Sequence, residues 1–194
     1  VPVNKLDADD PLSMGMYATP DYYMEFRYEM DQAMVRALDV LKQAGKEFKN
    51  TFGRDYSELI EAYRLDDAEI AIVAMGSVCG TIKDAVDAMR AEGRKVGLLK
   101  IRAFRPFPAE DIKKALSGIQ KVGVFEKNIS IGARMKGAVG YEIKDALCDS
   151  SVQVLSYVAG LGGRDVTIGD IKKMTDAIEA GNGDCFLGLR EELI

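Results

Sequence analysis

Ile70-Ala71-Ile72-Val73-Ala74-Met75-Gly76-Ser77 is a short apolar run, rich in β-branched residues, that breaks off at Gly-Ser. Such a run reads as a strand covered on both faces. Over residues 78–90 the spacing turns helical. Ile82, Ala85, Val86 and Met89 stand at i, i+3, i+4 and i+7, one stripe of a helix. Glu92-Gly93 stops that helix, and a second apolar run, 96–101, follows at once. Strand, helix and strand within about 30 residues make a βαβ crossover, which sterics favour in the right-handed form.

The alternation continues downstream. Arg102-Ala103-Phe104-Arg105-Pro106-Phe107-Pro108 leaves the second strand as a stiff loop, because residues before proline avoid the α region. Pro108 opens a helix whose positive end is complemented by Glu110 and Asp111. Its apolar line is Ile112, Ala115, Leu116 and Ile119, with Gly118 marking the end. Val122-Gly123-Val124-Phe125 is a third strand and 152–158 a fourth, with a Gly-bearing loop and a helix over 138–147 between them. Thr167, with Asp170 three residues on, caps a last helix carrying Ile171, Met174 and Ile178. Gly181 ends it, and the segment from Asp184 to Leu189 reads as an edge strand. The expectation is a three-layer α/β domain over 66–194 with a mostly parallel sheet.

Upstream, residues 1–18 read as an extended connector. Asp7, Asp9 and Asp10 lack the Gly and Glu offsets of a calcium loop. Thr19-Pro20 starts a helix, expected to run to about Ala44 and to be closed by Gly45. Met30, Met34, Leu38 and Leu41 form its stripe, and Tyr22, Tyr23, Phe26 and Tyr28 crowd its start. Two readings stand side by side. Either these rings meet another body or subunit, or they cover the βαβ layer. Residues 46–67 carry a turn at Phe52-Gly53-Arg54, and 56–63 reads equally as a short helix or an extended piece.

Composition bounds the chemistry. Of 194 residues, 47% are hydrophobic and 29% charged, as in a packed globule. The net charge of −5 without a basic block argues against a nucleic-acid partner. No apolar run is long enough to span a bilayer, and no stretch reads as a signal peptide. The chain opens Val1-Pro2-Val3 without a methionine, so it is expected to be a fragment of a longer protein. There is no histidine, which removes Ser-His-Asp and Cys-His catalysis and His-based metal sites. Cys79, Cys148 and Cys185 lie far apart and form no C-x-x-C pair, so they read as buried thiols.

Three positions merit a functional reading. Arg105 sits in a loop at the carboxyl end of a strand, where open α/β sheets bind ligands, and is a candidate anion or partner contact. The competing and favoured reading is that it caps carbonyls or pairs with an acid of its own chain. Glu126 sits where a catalytic carboxylate could sit, but it has no partner acid and reads as a salt-bridge residue beside Lys127. Gly160-Leu161-Gly162-Gly163-Arg164-Asp165 approaches a dinucleotide fingerprint, yet its third glycine would fall at Asp165, so NAD and FAD are rejected.

Asp66-Asp67-Ala68-Glu69, Met75-Gly76-Ser77, Arg105-Pro106-Phe107-Pro108 and Gly160-Leu161-Gly162-Gly163-Arg164-Asp165 occur in this order and spacing. Together with the tyrosine-rich connector, they resemble the alpha subunit of the 2-oxoacid:ferredoxin oxidoreductase family, the pyruvate synthases foremost. At Phe125-Glu126-Lys127-Asn128 the family more often carries aspartate followed by arginine. The resemblance covers essentially the whole chain. It implies that residues 1–65 leave a pyrimidine-type domain and that 66–194 form a transketolase C-terminal-like domain. It further implies that the last strand, near Phe186, lies antiparallel at the edge.

The implied activity is oxidative decarboxylation of pyruvate with coenzyme A, electrons passing to ferredoxin, in a cytoplasmic oligomer with other subunits. Thiamine diphosphate, magnesium and iron–sulfur clusters belong to the whole complex. No catalytic, cofactor-binding or metal residue carries over onto this chain. Arg105, Arg164, Tyr22, Tyr23 and Phe26 are left as interface or anion contacts. The alternative is a free-standing α/β module that binds a small anionic ligand through Arg105, Arg164 and the glycine turn.

Overall fold

Strand β2 (Ile70–Met75) is buried over five of its six residues and pairs on both sides with parallel strands. Its side chains alternate between two cores. Ile70, Ile72 and Ala74 enter one, Ala71 and Val73 the other. The computed structural model describes residues 5–194 other than 13, 14, 16 and 184. The opening Val1-Pro2-Val3 and Asp184 therefore lie outside the described residues. The elements around β2 are α1 (Pro20–Phe52), β1 (Ile60–Tyr63), α2 (Val78–Ala91), β3 (Val96–Ile101), α3 (Ala109–Ala115) and β4 (Lys121–Glu126). They are followed by α4 (Ala138–Ala146), β5 (Gln153–Val158), α5 (Ile168–Glu179) and β6 (Cys185–Phe186). The chain divides into two compact units, 1–37 and 38–194, and the sheet lies in the second.

The sheet order is β1-β3-β2-β4-β5-β6. Helices α2 and α5 cover one face, around Ile82, Val86, Met89, Ile171, Met174 and Ile178. Helices α3 and α4 cover the other, around Ile112, Leu116, Val139 and Ile143. This is the expected three-layer, mostly parallel architecture with one antiparallel edge strand. The β5–α5–β6 connection moves across the sheet in the same direction as β4–α4–β5 but on the opposite face, so the two have opposite hand.

The antiparallel strand is β1, paired with β3, and not the segment near Phe186. That segment, β6, runs parallel to β5. Connection length explains both. Only residues 64–69 join β1 to β2, so the chain turns back at one end of the sheet and β1 must run opposite. Helix α5 instead carries the chain back to the starting end before β6, which restores the parallel direction.

Helix α1 also departs from expectation. It starts at Pro20 as predicted, with the Thr19 carbonyl accepting from the Tyr22 and Tyr23 amides at 3.1 and 3.0 Å. It does not end at Gly45. Gly45 is buried, and a Cβ there would lie 2.4 Å from the Tyr56 carbonyl oxygen and 2.5 Å from Ser57 Cα. The glycine admits a crossing backbone instead of stopping the helix. The stop is Gly53, at φ +72°, whose amide donates to the Lys49 carbonyl at 2.8 Å. Among the described residues no helix is long and apolar enough to cross a membrane.

Candidate functional site

In this sheet the chain leaves β2 in one direction and β4 in the other. The carboxyl ends of these neighbours form the topological switch point where open α/β sheets place their ligand crevice. Gly76 and Ser77 follow β2 there, and Glu126 closes β4.

Glu126 is 1% exposed, yet among the described residues its carboxylate meets no cation. One oxygen accepts from the Gly140 amide at 2.7 Å, in the first turn of α4. The other accepts from Asn128 Nδ2 at 2.9 Å. The Val139 amide also points to the carboxylate. The expected salt bridge with Lys127 is therefore absent. Lys127 turns away, its Cε lying 2.8 Å from where a Cβ on Gly160 would be. A carboxylate at a helix N-terminus needs no lysine, because the free amides and the helix dipole already favour its charge. A Cβ on Gly137 would lie 2.2 Å from Glu126 Cδ, so any other residue there would have to displace the carboxylate. One acid thus fastens both ends of the loop 127–137. Beside it, the Ser156 hydroxyl of β5 is buried without a hydrogen-bond partner, 3.6 Å from where a Gly140 Cβ would sit.

Burial pushes the Glu126 carboxyl above its ordinary value, against the Gly140, Asn128 and Val139 donors that pull it down. A raised folded-state value means that folding favours the protonated form. That contribution to stability is complete below the ordinary glutamate range and is lost as pH rises through the raised value. Denaturation midpoints of wild type and Glu126→Gln, measured from about pH 4 to about pH 8, should show this. The wild type is expected to lose stability relative to the variant as pH rises. A difference that stays constant with pH would show that Glu126 does not titrate there.

The predicted arginines are held by their own chain. Arg105 Nη1 donates to the Phe104 carbonyl at 2.9 Å, Nη2 pairs with Glu142 of α4, and the guanidinium lies 4.3 Å over the Phe104 ring. The Arg105–Pro106 peptide is cis. Arg164 Nη1 donates to the Gly188 carbonyl at 2.6 Å. It lines an apolar cavity of about 240 Å³ at the end of β5, with Val158, Leu161, Phe186 and Leu187. Gly160, Gly162 and Gly163 make the turn above it, all at positive φ. Arg105 follows β3 and Arg164 follows β5, three strand spacings apart, or roughly 14 Å at about 4.8 Å each. The structure does not join them into one site. Tyr22, Tyr23 and Phe26 lie exposed on α1, in the N-terminal unit.

Of the cysteines, Cys79 is buried as expected, but Cys148 is exposed and Cys185 half-buried. Asp7 pairs with Lys5 at 3.0 Å. Among the described residues no group of three or more His, Cys, Asp or Glu is placed to hold a metal. One polar cluster went unseen in the sequence. Glu61 of β1 gathers Lys83, Arg102 at 2.9 Å and Lys100 at 3.9 Å. Lys83 above all, then Arg102, holds its carboxyl below the usual range. Only the alternation Ile60-Glu61-Ala62-Tyr63 hinted at it.

Comparison with known proteins places the chain in a family. Residues 68–171 match the family described as pyruvate:ferredoxin oxidoreductase core domain II. The pyruvate synthase subunit PorA of Methanocaldococcus jannaschii is 47% identical over 189 residues, covering 96% of this chain and 48% of that protein. PorA of Methanosarcina barkeri is 45% identical over 201 residues, covering 100% of this chain and 50% of that protein. The ketoisovalerate oxidoreductase subunit VorA of Pyrococcus horikoshii is 41% identical over 184 residues, covering 92% and 46%. The chain spans about half the length of the curated relatives it matches. Among solved structures, a 2-oxoglutarate:ferredoxin oxidoreductase from Magnetococcus marinus aligns with a TM-score of 0.48 at 20% identity, over 68% of this chain and 21% of that one. The family match runs from the entry of β2 to the start of α5, across the whole switch point, and by it the chain belongs to the pyruvate:ferredoxin oxidoreductase core domain II family.

Proposed function

We propose that this chain is part of the alpha subunit of a thiamine-dependent 2-oxoacid:ferredoxin oxidoreductase and serves its assembly. The complex would cleave carbon dioxide from pyruvate, join the acetyl group to coenzyme A and pass the electrons to ferredoxin, or run the reverse. Residues 1–65 would form the connector from a pyrimidine-type domain, and 66–194 the transketolase C-terminal-like domain. The other subunits, ferredoxin and coenzyme A are the partners, and the cytoplasm is the proposed location.

The residues at the switch point do not fit thiamine diphosphate, magnesium or an iron–sulfur cluster. Both oxygens of Glu126 are engaged by Asn128 and Gly140, and both candidate arginines are engaged by their own chain. We assign those groups to other parts of the complex. One observation carries the assembly role. A pyruvate synthase subunit and a ketoisovalerate oxidoreductase subunit share this stretch with the chain at 47% and 41% identity. A domain common to enzymes named for different 2-oxoacids is suited to holding a site in register, not to choosing its substrate.

The test has two arms. Calorimetric titration of the purified chain with thiamine diphosphate and magnesium is expected to show no binding at micromolar concentration. The assembled complex is expected to reduce a redox dye with pyruvate or a branched 2-oxoacid plus coenzyme A. Micromolar cofactor binding, or turnover by the chain alone, would move the active site into these residues.

A further inference from the structure

The first half of α1 carries more apolar surface than a solvent-facing helix can use. At 3.6 residues per turn, Tyr22, Ala33, Phe26, Ala37, Met30, Tyr23 and Met34 fall side by side in roughly a third of the circumference, with no charge among them. Met24, Val35 and Tyr28 form a second, narrower stripe beyond Arg27 and Asp31. Asp21, Gln32, Glu25, Arg36 and Glu29 share the one remaining sector. A helix whose wide apolar face is matched by a second apolar stripe across a narrow charged strip has more apolar surface than one buried side requires.

Yet these side chains are open to water. Tyr22, Tyr23 and Phe26 are 63%, 53% and 48% exposed, and Met24, Tyr28, Met30, Met34 and Val35 are exposed as well. The exposed area is on the order of several hundred Å², at or above the largest patch of an ordinary monomer.

We infer that the wide face of Tyr22, Tyr23, Phe26, Met30 and Met34 docks on the half of the subunit that this chain does not span. The inference rests on the reading of the chain as part of a longer alpha subunit. The length of the relatives selects this occupant, and the character of the face agrees with it. The relatives that cover 96% to 100% of this chain are about twice its length, so a body of similar size accompanies it in them. The face is also free of charge over seven neighbouring positions. Reversible contacts between separate chains carry a polar and charged component, whereas a face this apolar has the character of a permanent interface. A body on the same polypeptide is permanently present.

Hydroxyl-radical footprinting of the full-length subunit, purified as a monomer without partner subunits, tests this. The urea-unfolded subunit supplies the intrinsic reactivity of each residue. Tyr22, Tyr23, Phe26 and Met30 are expected to be protected roughly tenfold in the lone subunit, as befits the core of a packed interface. Unprotected rings in the lone subunit would overturn the inference. So would protection that appears only at concentrations where the subunit dimerises, or only after the partner subunits are added. The readout needs no enzymatic activity. Protected rings in a subunit whose assembled complex is inactive would therefore refute the proposed function and leave the docking intact, while an active complex built from a subunit with open rings would do the opposite.

Discussion

Gly45→Val is expected to lower the stability of the sheet-bearing unit by about 3 kcal/mol, roughly 6–12 °C in melting temperature. Two effects oppose each other at this position. Replacing an open mid-helix glycine with alanine ordinarily stabilises by about 0.5–1 kcal/mol, because glycine loses more backbone freedom on folding. At Gly45 a Cβ would lie 2.4 Å from the Tyr56 carbonyl oxygen and 2.7 Å from the Ser57 nitrogen. These are backbone atoms and cannot swing aside as a side chain would, so overpacking wins and even Gly45→Ala should destabilise. Gly80→Ala in α2 is the control. No atom lies within 4 Å of a Cβ built there, and the same substitution should stabilise by a few tenths to about 1 kcal/mol. Thermal denaturation of the three variants decides the matter. Equal signs at Gly45→Ala and Gly80→Ala would disprove the close crossing of residues 56–57 over α1.

A second large loss is expected from Ile72→Ala. Ile72 is 0% exposed, at the middle of β2, beneath α2 and α5. Removing its side chain should cost about 2–5 kcal/mol, the lost transfer term plus a cavity that rigid strands on both sides cannot close. That is a large part of the 5–15 kcal/mol typical of a whole domain. Met75→Ala, at the exposed end of the same strand, should cost under about 1 kcal/mol. Urea midpoints at unchanged slope give both values. A small loss at Ile72 would mean that β2 is not the centre of the sheet.

The strands and helices from Ile70 onward are legible because each is covered by its own neighbours. The strands expected near Ile70, Val96, Val122 and Val152 begin at Ile70, Val96, Lys121 and Gln153. The Thr167 cap also forms as expected, the Asp170 amide donating to its hydroxyl oxygen at 3.2 Å and the Thr167 amide to Asp170 Oδ2 at 2.9 Å. These signals are local. What stayed hidden depends on residues far apart in sequence. Strand β1 has four residues, too few for an alternation to stand out, and is fixed by pairing with β3. Gly45 looks like a helix stop unless the crossing backbone of residues 56–57 is known. Glu126 looked like half of an ion pair because its nearest cation in sequence is Lys127, while its true partners include amides of a helix that starts twelve residues later. The direction of β6 was expected from the family resemblance, and the path of α5 decides it otherwise.

The two margins of the sheet bear on how this protein meets others. One margin is β1, four residues long, with Glu61 drawing Lys83, Lys100 and Arg102 around it. The other is β6, only two residues long. Neither offers a long row of free amides and carbonyls on which a foreign strand could template itself, and the charged margin opposes such growth further. Short edges and charge both disfavour strand-by-strand propagation into fibrils and recruitment of a partner by strand addition. The surfaces that remain for contact are the helix faces and the loops at the carboxyl ends of the strands.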